Sequence, residues 1–364
     1  MSLKKVLTFA LALFITGGGL QAQKLIVGAD FTTRFDNREY ANNDFNESQT
    51  LFSARLTPRI GVEWMDKNRL IVGVDLLQNF GDDTKFLSKA RPSAYYQFNS
   101  RNVQANAGIF DRKELLGDYS LAFFGDSTAF YHNRLSGFLG HYKSTGRRNT
   151  YVEMAIDWEG MYSTLSREKF RILLAGRHYL DTFYYGFNYS MFHYAGQQGA
   201  PIENVVDLQL LNPCVGVRFN AFFDFDIKLG ALLTAQRDRS FGHSWEKPCM
   251  GEFAFRISRW GLSLDERLYV GDNIHPFFYG HELEDGTPLP YGRELYPAES
   301  FFRTDQKVYS RTALSYRRSF FNDTVSVRAE FAAHHDGTAL GTQQMLVVGV
   351  KLLKTVYNSK NHKK

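Results

Sequence analysis

The sequence predicts an all-β protein whose antiparallel strands close into a transmembrane barrel of about sixteen strands. Three observations predict this fold: apolar and polar residues alternate in segment after segment, the connections are alternately short and long, and an export signal precedes the first strand. Residues 51–64 show the alternation best, with Phe52 and Ile60 on one face and Arg55 and Glu63 on the other. Because successive side chains of a strand point to opposite faces, such a segment has one apolar face and one charged face.

The N-terminal residues have the composition of a secretory signal peptide. Lys4 and Lys5 form a basic region, residues 6–15 are apolar, and residues 17–22 are rich in small side chains. The apolar run is too short to cross about 30 Å of hydrocarbon as a helix, which favours cleavage before Gln23 over a membrane anchor. We therefore divide the chain into a signal peptide at residues 1–22, a barrel at residues 23–357 and a basic tail at residues 358–364.

The strands follow from the same alternation, taken in chain order. Residues 227–236 and 325–331 repeat the two-faced pattern clearly, whereas residues 134–142 and 343–352 are apolar on both faces. Strands are predicted at residues 25–34, 51–64, 69–80, 90–98, 103–112, 134–142, 150–158, 169–177, 182–194, 214–224, 226–236, 250–258, 262–270, 307–317, 324–334 and 343–352. The even total is what single-chain bacterial barrels require.

The connections alternate in length, as they do in outer-membrane barrels with short periplasmic turns and long outer loops. The short connections are rich in the Asn, Asp and Gly residues that turns favour. They are residues 65–68, 99–102, 258–261 and 319–323. The long connections are residues 36–50, 113–133, 159–168, 195–213, 237–248 and 271–306. This alternation predicts that both termini lie on the periplasmic side.

A water-soluble β-sandwich is the alternative fold, because it also alternates apolar and polar residues. The composition of 44% hydrophobic and 15% aromatic residues suits either fold, since aromatic residues favour strands and also form the girdles of membrane barrels. The charged second face and the export signal favour the barrel.

If the charged face points inward, the lumen collects many arginines and fewer acids. The predicted pore-lining residues are Arg55, Arg59, Glu63, Asp75, Arg91, Arg112, Glu153, Asp157, Arg171, Arg218, Arg256 and Arg328. Rings of fixed charge select ions in pores, and Arg55, Arg59, Arg91 and Arg112 on neighbouring strands are the best candidates for a selective wall. The alternative is that these charges pair across strands and stabilise the wall.

The longest connection, residues 271–306, mixes aromatic and acidic side chains. A loop of this length is usually functional or disordered. Folded into the pore, it would place acids opposite the arginines and narrow the channel, with Glu282, Glu284, Asp285 and Tyr291 as the constriction candidates. The alternative is an outer loop that packs on its own rings, and residues 113–133 are the second candidate for an inward loop.

Signal, strand count and loop alternation make this chain resemble the outer-membrane β-barrel proteins of Gram-negative bacteria, with the general porins most similar in size. The resemblance implies an outer-membrane location, contact with outer-membrane lipid, passage of small polar solutes, and a monomer or homotrimer. One departure is the C-terminus: such barrels usually end on an aromatic residue, whereas Tyr357 is followed here by the basic tail.

The function predicted from these features is a porin-like channel through which small polar or anionic solutes diffuse, with no cofactor and no metal. The alternative is a binding or structural barrel whose long outer loops capture a surface glycan or a partner while the lumen is plugged. Because basic residues are dispersed through the strands and glycine-rich phosphate loops are absent, nucleic-acid binding is not expected.

An enzyme is not predicted either. The chain contains no Gly-x-Ser-x-Gly elbow and no His-Glu-x-x-His motif. A third hypothesis, a barrel hydrolase acting on lipids, would require a serine beside a histidine on the lipid-facing wall, and the sequence alone shows no such pair.

The mature chain contains two cysteines, Cys214 and Cys249, each of which follows a proline. An exported chain with an even number of cysteines favours a disulfide, and both residues lie at the outer rim of the predicted barrel. A bridge would require loop backbone to close the gap between strands that are two apart, and two reduced thiols are the alternative.

Overall fold

The computed structural model of this chain describes residues 24–40, 48–81, 86–145, 149–200, 205–239, 244–277, 295–303 and 306–358. It is a single closed barrel of sixteen strands. The strands are β1 (Lys24–Glu39), β2 (Gln49–Trp64), β3 (Asn68–Asn79), β4 (Lys89–Asn99), β5 (Val103–Asp111), β6 (Arg134–Lys143), β7 (Tyr151–Gly160), β8 (Lys169–Leu180), β9 (Phe183–Tyr194), β10 (Val206–Asn220), β11 (Asp224–Asp238), β12 (Cys249–Arg259), β13 (Leu262–Gly271), β14 (Val308–Phe320), β15 (Val325–His335) and β16 (Leu340–Asn358).

Every strand pairs antiparallel with its sequence neighbours, and β1 closes the barrel on β16. The closing pair runs from Lys24 opposite Asn358 to Glu39 opposite Thr342, so no strand is left as a free edge along this seam. Among the described residues, the one helix of more than one turn is α1 (Asp126–Tyr131), which lies in the connection between β5 and β6. Within the described residues, no helix is long and apolar enough to cross a membrane. The predicted sixteen-stranded barrel is confirmed.

The two faces of the strands differ as the alternation predicts. On β2, Phe52 and Ile60 are 45% and 42% exposed on the outward face, whereas Ser53, Arg55 and Glu63 are buried on the inward face. An outward belt of exposed apolar side chains around a polar interior is the arrangement of a membrane barrel, because acyl chains cover the belt.

The ends of the barrel also differ. At one end, here called the turn end, the connections are tight and use left-handed backbone, as at Met65, Asp66 and Trp260. The chain enters β1 and leaves β16 at this end. The other end, here called the loop end, carries the long connections, with the four residues 336–339 as a short exception. The predicted alternation of turns and loops is therefore confirmed.

One strand begins eight residues earlier than predicted. β10 starts at Val206 rather than at residue 214, because its first part has the reverse pattern: Val206, Leu208 and Leu210 are buried on the inward face, and Asp207 and Gln209 lie on the outward face. These inward apolar side chains pack against other apolar residues inside the barrel. The sequence prediction places the start of β10 too late because it assumes polar inward residues along the whole strand.

Two loops fold into the barrel and form what we call the plug, residues 112–133 together with residues 271–277 and 295–303. Apolar side chains of both loops pack with wall residues into one buried cluster inside the lumen. The cluster contains Tyr40, Leu121, Ala122, Phe123, Leu210, Leu232, Met250, Tyr269, Ile274, Ala298, Phe301, Phe302 and Tyr309. Backbone hydrogen bonds join the loops directly, from the Gly125 amide to the Pro297 carbonyl at 3.0 Å and from the Glu299 amide to the Leu121 carbonyl at 2.9 Å.

Ion pairs attach the plug to the wall. Asp126 of α1 pairs with Arg311 of β14 at 3.2 Å, and Asp118 pairs with Arg177 of β8 at 3.0 Å. Burial alone would raise the pKa of Asp126, but the nearby arginines, led by Arg311, lower it to about 2. Inward folding of residues 113–133, with acids opposite arginines of the wall, agrees with the second candidate for an inward loop.

Candidate functional site

The barrel wall bends inward at a directly paired couple of glycines, Gly108 on β5 and Gly137 on β6. Both have positive φ angles, +126° and +153°, which residues with a side chain rarely adopt. A Cβ atom on Gly108 would lie 2.2 Å from the Ala94 carbonyl oxygen, and one on Gly137 would lie 2.2 Å from the Ile156 carbonyl oxygen. Only glycine fits at these two positions, so the sequence specifies the bend.

Beyond this bend, the β5–β6 hairpin leaves both neighbouring strands. Pairing between β4 and β5 ends at Ala94 opposite Ile109, although β4 begins at Lys89. Pairing between β6 and β7 ends at Gly137 opposite Asp157, although β6 begins at Arg134. Toward the loop end, the wall therefore has an opening between β4 and β7, with the hairpin tip set behind it.

A pocket of about 800 Å³ lies at this opening. Its lining combines inward residues of the wall, outward residues of the wall and residues of the plug, so it connects the outward face of the barrel with the interior. The lining residues are Arg91, Pro92, Ile109, Arg112, Phe124, Ser127, Thr128, Tyr131, His132, Arg134, Ser136, Asp157, Trp158, Glu159, Lys169, Arg171, Tyr296, Pro297 and Ala298. Its volume is in the range of small-molecule binding sites.

The pocket has an excess of positive charge, because five cationic side chains and only two carboxylates line it. Each carboxylate is already paired: Asp157 with Arg112 at 2.5 Å and Glu159 with Arg171 at 3.1 Å. The remaining cations make the pocket electrostatically suited to an anionic ligand.

Two of these arginines have buried nitrogens with no hydrogen-bond partner among the described residues. They are Nη1 of Arg112 and both Nε and Nη2 of Arg134. Arg134 is only 9% exposed, and its nearest carboxylate, Asp75, lies 3.8 Å away. Leaving a buried donor unsatisfied costs about 1–3 kcal/mol, and more for a charged group. An anion with several oxygens, such as a phosphate, would accept these hydrogen bonds.

A serine and a histidine line the same pocket. The backbone amide of Ser136 donates to Oδ1 of Asp157 at 2.9 Å, and the backbone carbonyl of His132 accepts from Nε of Arg112 at 3.2 Å. Both backbone positions are thus fixed by the charged groups of the site. Although the His132 ring keeps contact with solvent, desolvation by the surrounding protein, followed by the cations Lys89, Arg91 and Arg112, lowers its pKa below 6.5. A neutral imidazole can accept a proton at neutral pH, and the His132 ring shares the pocket with the Ser136 hydroxyl, although no hydrogen bond joins the two side chains among the described residues.

The strand residues among the predicted pore-lining set lie on the inward face, and Arg112 lies at the start of the plug. Four of the set line the pocket: Arg91, Arg112, Asp157 and Arg171. The other members make local contacts in the wall or with the plug. Arg55 pairs with Asp75, Arg59 with Asp30, Glu63 with Lys24, Arg218 with Asp226, Arg256 with Asp265 and Arg328 with Glu330, while Glu153 accepts from the Gly117 amide and the Tyr119 hydroxyl.

The proposed selective wall of four arginines is therefore split. Arg55 and Arg59 are engaged by carboxylates at 3.5 Å and 2.8 Å, whereas Arg91 and Arg112 line the pocket. The constriction candidates Glu282, Glu284, Asp285 and Tyr291 lie outside the described residues.

The predicted disulfide is wrong, because the structure has both cysteines as free thiols. Since β10 begins at Val206, Cys214 lies well inside the strand, where it is buried on the inward face. Cys249 is exposed at the start of β12, on the outward face. The wall thus separates the two thiols, and no movement of a loop alone would join them.

Comparison with known proteins shows the family. The family model described as lipid A 3'-O-deacylase-type matches residues 19–246, well over half of the chain. This chain belongs to the lipid A 3'-O-deacylase-type family. The match includes the complete β5–β6 hairpin and almost all of the pocket lining. No curated protein matches the chain.

Solved structures agree on the fold. A loop-deletion mutant of the outer membrane protein OmpT of Vibrio cholerae has a TM-score of 0.54 at 9% identity, covering 91% of this chain and 100% of that one. OccK1 of Pseudomonas aeruginosa has a TM-score of 0.47 at 10% identity, covering 91% and 99%. The porin of Rh. blastica has a TM-score of 0.45 at 13% identity, covering 90% and 100%. The match to OmpT, together with the closed sixteen-stranded topology, shows the fold of a Gram-negative outer-membrane barrel of porin type.

The family contradicts the prediction that the protein is not an enzyme. The match to a deacylase-type family points to enzymatic activity in a barrel with the fold of a porin. Within the described ranges, no group of three or more His, Cys, Asp or Glu side chains could hold a metal ion.

Proposed function

We propose that the protein is an outer-membrane ester hydrolase that removes an acyl chain from an acylated, anionic glycolipid of the lipid A class. The observation that carries the proposal is the pocket between β4 and β7, which reaches the outward face of the barrel and has an excess of buried positive charge. A lipid whose headgroup carries phosphates could enter from the bilayer without leaving it. A soluble substrate would need no opening in the wall.

The chemistry is assigned to two side chains of the pocket. The Ser136 hydroxyl attacks the ester carbonyl carbon while His132 takes its proton, and the alcohol of the glycolipid leaves with that proton. The acyl group is then on Ser136 until water, deprotonated by His132, releases it as a fatty acid. Arg112 and Arg134 hold the phosphate of the substrate and orient the ester toward Ser136.

The experiment is hydrolysis of purified lipid A by the refolded protein in detergent micelles, followed by mass spectrometry of the lipid. We expect loss of one ester-linked acyl chain with the wild-type protein. Ser136→Ala and His132→Ala should each lose about 10²-fold or more in rate, the usual size of a nucleophile or general-base contribution.

Two matched variants are controls for these substitutions. Ser315→Ala on β14 and His335→Ala at the end of β15 remove the same groups from the opposite part of the wall, so both should keep the wild-type rate. Unchanged lipid after incubation with folded wild-type protein would contradict the proposal.

Diffusion of small polar or anionic solutes is a second candidate, favoured by the sixteen strands of the barrel, a number at which barrels enclose an aqueous channel. The plug argues for a narrower path than the barrel diameter alone would allow, because its apolar cluster fills part of the lumen. Planar-bilayer recording separates the two candidates: a solute channel should give stable open steps. We expect the wild-type barrel to give small or no steps while it hydrolyses lipid.

An outer-membrane location and export through a cleaved signal peptide at residues 1–22 are part of this proposal. Trp158 is 44% exposed on the outward face near the loop end and stacks on Phe170 at 5.0 Å. Such rings mark a membrane interface. Cell fractionation with N-terminal sequencing of the mature protein tests both points, and a start at Gln23 is expected. Whether the barrel is a monomer or a homotrimer would be measured on the same material by light scattering.

A further inference from the structure

A shallow apolar groove crosses the outward face of β1 to β4 and of the last part of β16. Its volume is about 1300 Å³, and apolar surface dominates its lining. The floor consists of two adjacent rows of outward residues at matching register. One row joins Ala29 to Pro58 and Val74 to Pro92, and the other joins Ile60, Val72 and Ala94.

The groove exists because the floor side chains are mostly small and the flanking rows are large. On the side toward the loop end, Phe31 lies opposite Leu56, and Leu56 lies opposite Leu76. On the other side, Leu70 lies opposite Tyr96. Leu56 and Leu70 are 39% and 41% exposed beside the alanines and prolines of the floor, while Ile60, at 42%, is the one large side chain among the floor residues named above. The result is a shallow groove along the outward surface of the barrel.

The groove is continuous with the pocket. Arg91 and Pro92 line both, and the floor row that ends in Ala94 continues to Ile109, which lines the pocket. The point of contact is the last registered pair, Ala94 opposite Ile109, before β4 and β5 separate. An amphiphile with its polar part in the pocket would therefore have its tail at the start of the groove.

We propose that this groove binds one acyl chain of the glycolipid whose phosphorylated headgroup occupies the pocket, and so selects substrates by the length and number of their chains. The inference rests on the proposed function, because the headgroup site is the same pocket. A single flexible hydrocarbon chain fits a shallow apolar groove, and the continuity with a cationic pocket sets the direction of the chain. A phospholipid of the other leaflet and a second copy of this barrel are competing occupants.

The test fills the groove at two points, at Ala29 away from the pocket and at Ala94 where the groove meets the pocket opposite Ile109. Ala29→Phe and Ala94→Phe add large outward side chains to the floor, and Ala231→Phe makes the same change on the outward face of β11, on the far side of the barrel. Lipid A bound to each detergent-purified protein is measured by native mass spectrometry on a Ser136→Ala background, where no hydrolysis can occur. Folding is checked by heat-dependent gel mobility. Val74→Phe replaces either groove variant that does not fold.

We expect both groove variants to retain at least about tenfold less lipid A than the Ala231→Phe control, the scale on which apolar pockets discriminate methylene groups. In the active background, they should lose activity on long-chain substrate and keep activity on a short-chain acetyl ester. Equal retention by all three variants would overturn the groove and leave the hydrolase proposal intact. If the groove variants retain less lipid A but the wild-type protein does not hydrolyse lipid A, the groove proposal is supported and the hydrolase proposal is refuted.

The competing occupants give different results. Retention of phosphatidylethanolamine instead of lipid A, lost in the same variants, would overturn the proposal in favour of the other leaflet. A dimer that the groove variants convert to monomer would overturn it in favour of a second barrel.

Discussion

Strand pairing differs between two parts of the wall: it is nearly continuous from β9 to β13 and interrupted from β4 to β7. β10 and β11 pair from Val206 opposite Asp238 down to Asn220 opposite Asp224, almost the full length of both strands, whereas β4 and β5 share only the six pairs from Ala94 opposite Ile109 to Asn99 opposite Gln104. A barrel normally leaves no strand edge unpaired, because bare amides in a membrane are costly. The incomplete pairing between β4 and β7 therefore points to a functional site in this part of the wall.

The charges of the two walls differ in the same way. In the continuous wall, Asp265 pairs with Arg256 at 2.6 Å and with Arg267 at 3.1 Å, and Lys228 lies 3.3 Å from Glu252. In the opened wall, Arg112 keeps one and Arg134 keeps two buried nitrogens without hydrogen-bond partners, while Arg34, Arg55 and Arg177 elsewhere in the barrel each keep one. What distinguishes Arg112 and Arg134 is their position, because both also line the pocket at the opening.

The largest effect should come from removing these available charges. Arg112→Gln combined with Arg134→Gln should lower kcat/KM on lipid A about 10²-fold, because hydrogen bonds to charged groups contribute about 1.5–3 kcal/mol each. Arg256→Gln, an arginine of the continuous wall, is the matched control and should stay within about threefold. The assay is then repeated with dephosphorylated lipid A. With this substrate, the difference in kcat/KM between the double variant and the wild type should be smaller. An undiminished difference would contradict phosphate binding.

The glycine bend gives the next largest effect. Gly137→Ala forces a side chain into left-handed backbone against the Ile156 carbonyl, so it should destabilise the barrel by about 1–3 kcal/mol and reduce activity by closing the bend. Gly140→Ala in the same strand meets only the ring of Phe138 at 3.2 Å and has no left-handed φ, so it should be milder. Urea unfolding in detergent gives both values. Equal losses of unfolding free energy in the two variants would contradict a specific requirement for glycine at the bend.

The pH dependence should be smaller and has a definite sign. The pKa of His132 lies below 6.5, and the proposed general base must be neutral, so the rate should be level near pH 7 and fall about tenfold per unit below that pKa. Because kcat/KM reports the free enzyme, its pH profile is the quantity to measure. A profile that is still rising between pH 7 and pH 9 would point to a different base.

The smallest effect is expected at the plug. Asp126→Asn removes the pair with Arg311, but Arg311 keeps Glu330 at 2.6 Å and the backbone bonds between the two loops remain. Hydrogen exchange of residues 112–133 should therefore rise severalfold, with little change in hydrolysis. A large increase in bilayer conductance would instead show that this one ion pair holds a channel closed.

Sequence reasoning could predict the barrel because its signals are local. Alternation, turn residues and the order of short and long connections each depend on a few neighbouring residues, and they agree over the whole chain. The first residues of β10 were not predicted as strand, because the inward side chains Val206, Leu208 and Leu210 are apolar and pack against the plug. The sequence alone does not show that loops fill this part of the lumen.

The site was harder to predict, because it depends on how a strand leaves the sheet. The apolar character of both faces of residues 134–142 was the available signal: Leu135 and Leu139 pack inward with Phe110 instead of facing water. Spacing alone cannot show that an inward bend brings Ser136 and His132 to one pocket with Arg134. The Gly108 and Gly137 pair, opposed across one hairpin, is the sequence feature that could have indicated the bend.

The most direct test of the central claim is a structure of the Ser136→Ala protein in complex with lipid A, determined in nanodiscs. We expect a phosphate within hydrogen-bonding distance of Arg112 and Arg134, with the lipid passing through the opening between β4 and β7. Lipid bound only elsewhere on the barrel, with this pocket empty, would contradict it.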